Sequence, residues 1–152
     1  MRPIQLWVAD TRRADFPKEC KRQCLVVQEH KRRVRRRPWI KLRRGDLVTL
    51  RPARTSRAGG ALQRALVIRY DHFDAHALVA ILPLTSELRA APLLRVAVVR
   101  AERTAPGVAL QVMIDRPQTI PVKCIRGVFG HLSGKSLLAV DRALAVYLGI
   151  AR

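Results

Sequence analysis

The chain has 152 residues, enough for one compact domain plus an appendage, and at 49% hydrophobic residues it is too apolar for a disordered protein. Its 30 Lys and Arg against 11 Asp and Glu give a formal charge of +19, so a polyanion is the natural partner, and RNA, DNA and an acidic protein all fit. No apolar run approaches the roughly 20 residues that span a bilayer, and three cysteines without framework spacing, behind an N-terminus lacking a signal h-region, point to a reduced, cytoplasmic setting.

In chain order, Ile4 to Ala9 reads as a short strand, followed by a turn and a helix from Phe16 to about His30 with Asp15 placed to cap it. Cys20 and Cys24 lie one helical turn apart, but too few partners complete a tetrahedral metal site, and small buried thiols are the simpler reading. His72 and His76 share that spacing, and a surface turn explains them better than a metal pair. Strand then helix is the opening of a ribbon-helix-helix DNA-binding unit. The segment RPIQLWVADTRRADFPKECKRQ resembles MazE-like antitoxins over roughly residues 1–27.

The resemblance then stops at EHKRRVRRRPWIKLRR, a basic run over residues 28–42 and just beyond. Such a run serves either as an electrostatic arm for nucleic acid or as a solvated linker, and both readings stay open. An antitoxin of this kind would continue into an acidic tail; the abrupt change is what a fused or frame-shifted gene pair would give.

Residues 43–152 differ in character. Strands are expected at Asp46 to Leu50, Ala65 to Ile68, Leu78 to Leu82, Leu93 to Val99 and Leu110 to Ile114, with a proline-marked bend and a short extension from Val122 to Ile125. Their spacing and turn signals argue for a small barrel or closed sheet. Arg51 to Gln63, with Pro52, Gly59, Gly60 and the cations Arg51, Arg54 and Arg57, reads as a flexible cationic flap. The end of the chain, with apolar residues at Leu137, Leu138, Val140, Leu144, Val146, Tyr147 and Leu148, reads as an amphipathic helix packed on the sheet, with His131 opening it.

The run LVAILPLTSEL ends a strand in a proline and two hydroxyls, Thr85 and Ser86, while Arg64 stands at the entrance of the preceding strand. If those strands are neighbours, a guanidinium and two hydroxyls converge at one sheet margin, a set suited to phosphate. The simpler alternative is that Thr85 and Ser86 cap a turn after Pro83.

Five pieces in order, RRGDLV, QRALVI, LPLTSELR, QVMIDRPQT and FGHLSGKSLLAVDRALAVYLG, make residues 43–152 resemble the MazF, PemK and Kid toxins of type II toxin-antitoxin systems. The resemblance implies a mainly β fold with helices (α+β), an SH3-like small barrel with a C-terminal amphipathic helix, behind the strand-helix appendage. It also implies a homodimer that cuts single-stranded mRNA at short sequences without a metal or other cofactor, is restrained by an acidic antitoxin, and binds operator DNA together with it.

Metal-free RNA cleavage needs a deprotonated 2'-hydroxyl, a cation for the charged phosphorane and a donor for the 5'-oxygen. Arg64 suits the second task because it stays charged and grips two oxygens at once. Thr85 and Ser86 would hold the phosphate against it, and Asp115 could orient or accept a proton. Arg51, Arg54, Arg57, Gln63, Arg116 and Gln118 are the candidate RNA contacts. Where the family has Gln-x-Arg-Thr after the aspartate, this chain has Arg116, Pro117, Gln118 and Thr119, and Gln63-Arg64-Ala65 lacks the family's proline after the arginine. The competing function is a non-catalytic nucleic-acid-binding protein or autorepressor built on the first strand and the basic arm.

Overall fold

A computed structural model describes residues 11–28, 40–51, 63–74, 77–99 and 108–151. The strand expected at Ile4 to Ala9, most of the basic run, and Arg54 and Arg57 lie outside the described residues. The first described element is the helix α1, Phe16–Gln28. The Asp15 carbonyl accepts the Glu19 N–H at 3.0 Å, while its carboxylate, expected to cap the helix, pairs with Arg13 at 3.3 Å.

Among the described residues seven strands follow, β1 Asp46–Leu50, β2 Arg64–Val67, β3 Leu78–Thr85, β4 Arg95–Val98, β5 Leu110–Met113, β6 Gln118–Pro121 and β7 Ile125–His131, and then the helix α2, Gly134–Tyr147. All their pairings are antiparallel. Hydrogen-bonded neighbours run β4-β5-β3-β2-β1-β7, with β6 also on β3. The α+β class is as expected, but the sheet is open: among the described residues no ladder joins β7 to the other end, so the closed barrel is corrected to a sheet with free ends.

β3 runs three residues beyond its expected end, straight through Pro83, and the register explains why. On the edge away from β2, β6 pairs up to Ile81↔Gln118 and β5 begins at Leu84↔Val112. The Ile68 N–H donates to the Ala80 carbonyl, which turns the backbone groups of the odd-numbered β3 residues toward that other edge. Pro83 therefore falls in the gap between two partners, where a missing N–H costs no ladder bond.

Two apolar cores lie on the two faces. Leu47, Leu66, Leu82, Val112, Ile114 and Leu132 meet Val140 and Ala143 of α2, and Val48, Leu50, Ala65, Val67, Val79 and Ile81 gather with Leu42 and Ile125 on the other face. Buried Val140 and Ala143, with the partly buried Leu137 and Leu144, form at helical spacing the core-facing stripe of α2, and Ser133 caps it by accepting the Ser136 N–H at 3.2 Å. His131 does not open this helix but ends β7. There its Nδ1 lies 2.9 Å from the buried carboxylate of Asp46, which also accepts the Arg43 N–H at 2.7 Å. Gly45 has a φ of 94°, and a Cβ there would meet the His131 ring at 3.0 Å, so only glycine serves. Arg44 bonds the Ile68 carbonyl and the Asp141 carboxylate, tying the entrance of β1 to the end of β2 and to α2.

The helix α1 docks on the β2–β3 connection. Phe16 stands edge-on to His72 with ring centroids 6.2 Å apart, and Cys20 and Cys24 are both buried. Burial pushes the Cys24 thiol up, as expected of a small packed thiol rather than a ligand.

Candidate functional site

The ladder between β2 and β3 ends at Ala65↔Pro83. Arg64 lies one residue past that pair on β2, and Thr85 and Ser86 lie two and three past it on β3, so the two strands carry them to one end of the sheet. Strand alternation starts Arg64 from the face of Leu66 and Leu82, and Thr85 from the face of Ala65. The guanidinium and the hydroxyl therefore leave the same rim from opposite sides. Arg64 is exposed, its guanidinium carbon is 5.8 Å from the Phe129 ring centroid, and among the described residues no carboxylate pairs with it. Thr85 Oγ1 accepts the Glu87 N–H at 3.0 Å, which occupies the oxygen as acceptor and leaves its O–H to donate elsewhere. The turn-capping role is thus real and compatible with a role toward phosphate.

The same rim collects other candidates. The Leu50 N–H donates to the Gln63 carbonyl, and the Arg51 N–H to the Cys124 carbonyl, which bring Gln63 and Arg51 beside Arg64. Lys123 and the exposed Arg126 flank this point, because Leu50 pairs with Ile125. These two cations were missed from the sequence, since the strand carrying Arg126 was not expected there.

Asp115, Arg116 and Gln118 go elsewhere. Asp115 and Arg116 occupy the β5–β6 connection, which lies alongside β3 between Ile81 and Leu84, and Gln118 is the first residue of β6, with Arg116 and Gln118 exposed. The Asp115 carboxylate is held by Arg95 of β4, whose side chain is only 11% exposed, and the Tyr147 hydroxyl donates to the Asp115 carbonyl at 3.2 Å. The Arg95 guanidinium keeps the Asp115 carboxyl below the usual carboxylate range, which makes it a poor proton acceptor near neutrality. Nothing in the sequence pointed to Arg95, which belongs to neither strand of the candidate set.

A pH dependence follows. Because the folded pKa of Asp115 is depressed, its stabilising pairing is in place above the unfolded value of about 3.9 and is lost as pH falls through the lower folded value. The melting-temperature difference between the native protein and Asp115→Asn should be constant from about pH 5 to 8 and shrink below about pH 4. A difference that grows on acidification would contradict the pairing.

Residue 111 is a further position not anticipated. Gln111 pairs with Thr85 across β5 and β3, and its side-chain amide binds the backbone of Arg89 in both directions, accepting the N–H at 2.9 Å and donating to the carbonyl at 3.2 Å.

Comparison with known proteins matches residues 43–148 to PemK-like, MazF-like toxins of type II toxin-antitoxin systems, and residues 1–41 to MazE-like antitoxins. A probable endoribonuclease MazF of Mycolicibacterium smegmatis is 36% identical over 110 residues, covering 72% of this chain and 99% of the relative. Among solved structures, a MazE–MazF complex from Deinococcus radiodurans superposes with a TM-score of 0.62 at 24% identity, covering 74% of this chain and all of that one. An endoribonuclease in complex with its cognate antitoxin, from a mycobacterial species, gives 0.59 at 20% identity over 73% of this chain and 98% of its own. These two share the fold of the seven-stranded sheet and its helices.

Proposed function

Because the chain belongs to the PemK-like, MazF-like toxins of type II toxin-antitoxin systems, we propose that it is an endoribonuclease that cuts single-stranded mRNA at short sequences without a metal. The observation that carries this reading is the placement of Arg64 and Thr85 at one sheet end, past the last β2–β3 pair. A phosphodiester laid across that rim is gripped from both sides. Arg64 stabilises the extra negative charge of the phosphorane, and the Thr85 O–H donates to a phosphate oxygen, with Ser86 beside it. The neighbouring 2'-hydroxyl gives up its proton to solvent and attacks phosphorus, the bond to the 5'-oxygen breaks and that oxygen takes a proton from solvent, and a 2',3'-cyclic phosphate remains on the upstream fragment. Arg51, Lys123 and Arg126, with the neutral amide of Gln63 beside them, extend the cationic track for the flanking phosphates. Arg116 and Gln118, and Arg54 and Arg57, which lie outside the described residues, are further contacts in this reading. Asp115, held ionised by Arg95, sets the turn it occupies rather than taking a proton. Purified full-length protein should cleave mixed-sequence RNA in EDTA; binding without cleavage would favour the autorepressor reading instead.

The domain division that goes with this is 1–27 antitoxin-like, 28–42 linker and 43–152 toxin. Two copies associate as a homodimer, and an acidic antitoxin acts in trans, with operator DNA bound by the pair. The surface near the end of α2 suits a second copy: Ala91, Pro92, Leu93 and Leu94 with Val146 and Tyr147 line an apolar groove of about 430 Å³. A cytoplasmic location fits this activity, and among the described residues no helix is long and apolar enough to cross a membrane.

The cis segment should not silence the enzyme. An inhibitor of a cationic RNA groove brings acidic groups, whereas residues 28–44 hold nine Lys and Arg and His30 against Glu29 alone. Moreover, α1 rests by Phe16 on His72, in the connection that leaves the end of β2 opposite Arg64. Full-length protein and residues 43–152 should therefore cleave at similar rates at equal concentration, and the longer chain should show the steeper loss of RNA affinity with salt. A full-length protein that is inert until its first 42 residues are removed would overturn this.

A further inference from the structure

We propose that Gln111 is a positioning residue for cleavage, acting through Thr85. The inference rests on the reading of Thr85 given above. In β5, Leu110 and Val112 are buried, and Gln111 between them faces the other way, directly across from Thr85. Its amide closes a two-way bridge to Arg89, accepting from the N–H and donating to the carbonyl. That bridge fastens the far end of the turn that begins at Thr85, while the Glu87 N–H fastens the near end on Thr85 Oγ1. The five residues from Thr85 to Arg89 are thus pinned at both ends. With Oγ1 already accepting from Glu87, the direction of the Thr85 O–H depends on where this turn holds the Glu87 N–H. Releasing Arg89 lets the turn shift, and a displacement on the order of 1 Å at a phosphate donor lowers the rate by up to about 10²-fold. An amide is the side chain for this task because it donates and accepts at once, which neither a carboxylate nor a thioether can do.

The bridge also supplies a test with its own signature. Gln111→Met removes both bonds at similar size, and should lower kcat on mixed-sequence single-stranded RNA by about 10- to 100-fold with KM changed less than about 3-fold. Gln111→Glu keeps the acceptor for the Arg89 N–H but sets a carboxylate against the Arg89 carbonyl, and should be impaired at pH 7.5. As pH falls toward 4.5 its carboxyl takes up a proton and regains a donor, so its rate relative to the native protein at the same pH should recover. The turn it bridges carries the charged groups Glu87 and Arg89, which pair at 3.4 Å, while β4 presents Ala97 in register. On a Thr85→Ala background, Gln111→Met should add no further loss, as expected of two residues acting as one unit.

Circular dichroism confirms folding of each variant at both pH values, and a Gln111→Glu protein folded at both compares with itself even if Gln111→Met does not fold. Full activity of Gln111→Met, with Thr85→Ala impaired, would overturn the inference and leave the reading of Thr85 standing. Equal losses on both backgrounds, or a Gln111→Glu rate ratio that stays flat with pH, would overturn it in the same way. Full activity of Thr85→Ala would remove the reading of Thr85 and this inference with it.

Discussion

Arg64→Ala should reduce the RNA cleavage rate by on the order of 10²- to 10³-fold, the loss typical of one removed transition-state donor, or about 2.7–4 kcal/mol of barrier. The residue is exposed at the first position of β2 and rests on Phe129 rather than in the core, so its removal leaves the sheet intact. Unfolding midpoints should match those of the native protein within the usual range for surface changes, about 0.5 kcal/mol. Arg64→Lys retains charge but not the planar fork that grips two phosphate oxygens, so it should recover only part of the rate. A folded Arg64→Ala protein with undiminished cleavage would remove this residue from catalysis.

The largest effect on stability should come from Leu82→Ala. Leu82 is fully buried in the middle of β3, opposite Leu66, in the cluster that α2 covers through Val140 and Ala143. Deleting most of that side chain removes its burial and leaves a cavity between sheet and helix, a loss of about 2–5 kcal/mol. Leu82→Met, which conserves volume, should cost less than about 1.5 kcal/mol. Urea unfolding followed by far-ultraviolet circular dichroism measures both. A Leu82→Ala protein as stable as the native one would mean that α2 does not pack on this face.

The sequence made β1 legible to the residue, because Gly45 and the apolar run Leu47–Leu50 mark its start and course. α1, β2, β4 and β5 were legible within two residues, from their apolar runs and the turn signals around them. What escaped notice were the elements whose signals are weak or contradictory. β3 hides its last residues behind a proline that is harmless only because β6 and β5 leave a gap opposite it. β7 carries Gly127 and Gly130, pairs with β1 through two register shifts, and so lacks a clean two-residue period. Assigning its last residue, His131, to the helix followed from missing the strand; Ser133, three residues before the Ser136 N–H it caps, was the available signal.

The candidate site divides along similar lines. Thr85, Ser86 and Arg64 were legible because a strand end and a strand start announce themselves locally, and antiparallel neighbours bring such positions together. The partnership of Asp115 was not, since Arg95 reaches it only through the β4–β5 register, and a single sequence does not encode which strand becomes the neighbour. Gln111 left one trace: a polar side chain in the middle of the apolar run LQVMI.

Metal-free cleavage through the RNA's own 2'-hydroxyl makes a deoxy-substituted strand the decisive control. Purified full-length protein in EDTA is given a single-stranded RNA that it cleaves and the same sequence with 2'-deoxyribose at the cut position. Only the RNA should be cut, leaving a 2',3'-cyclic phosphate at a rate that depends on Arg64. Cleavage of the deoxy-substituted strand at the same rate, or activity that vanishes in EDTA and returns with a divalent metal, would contradict it.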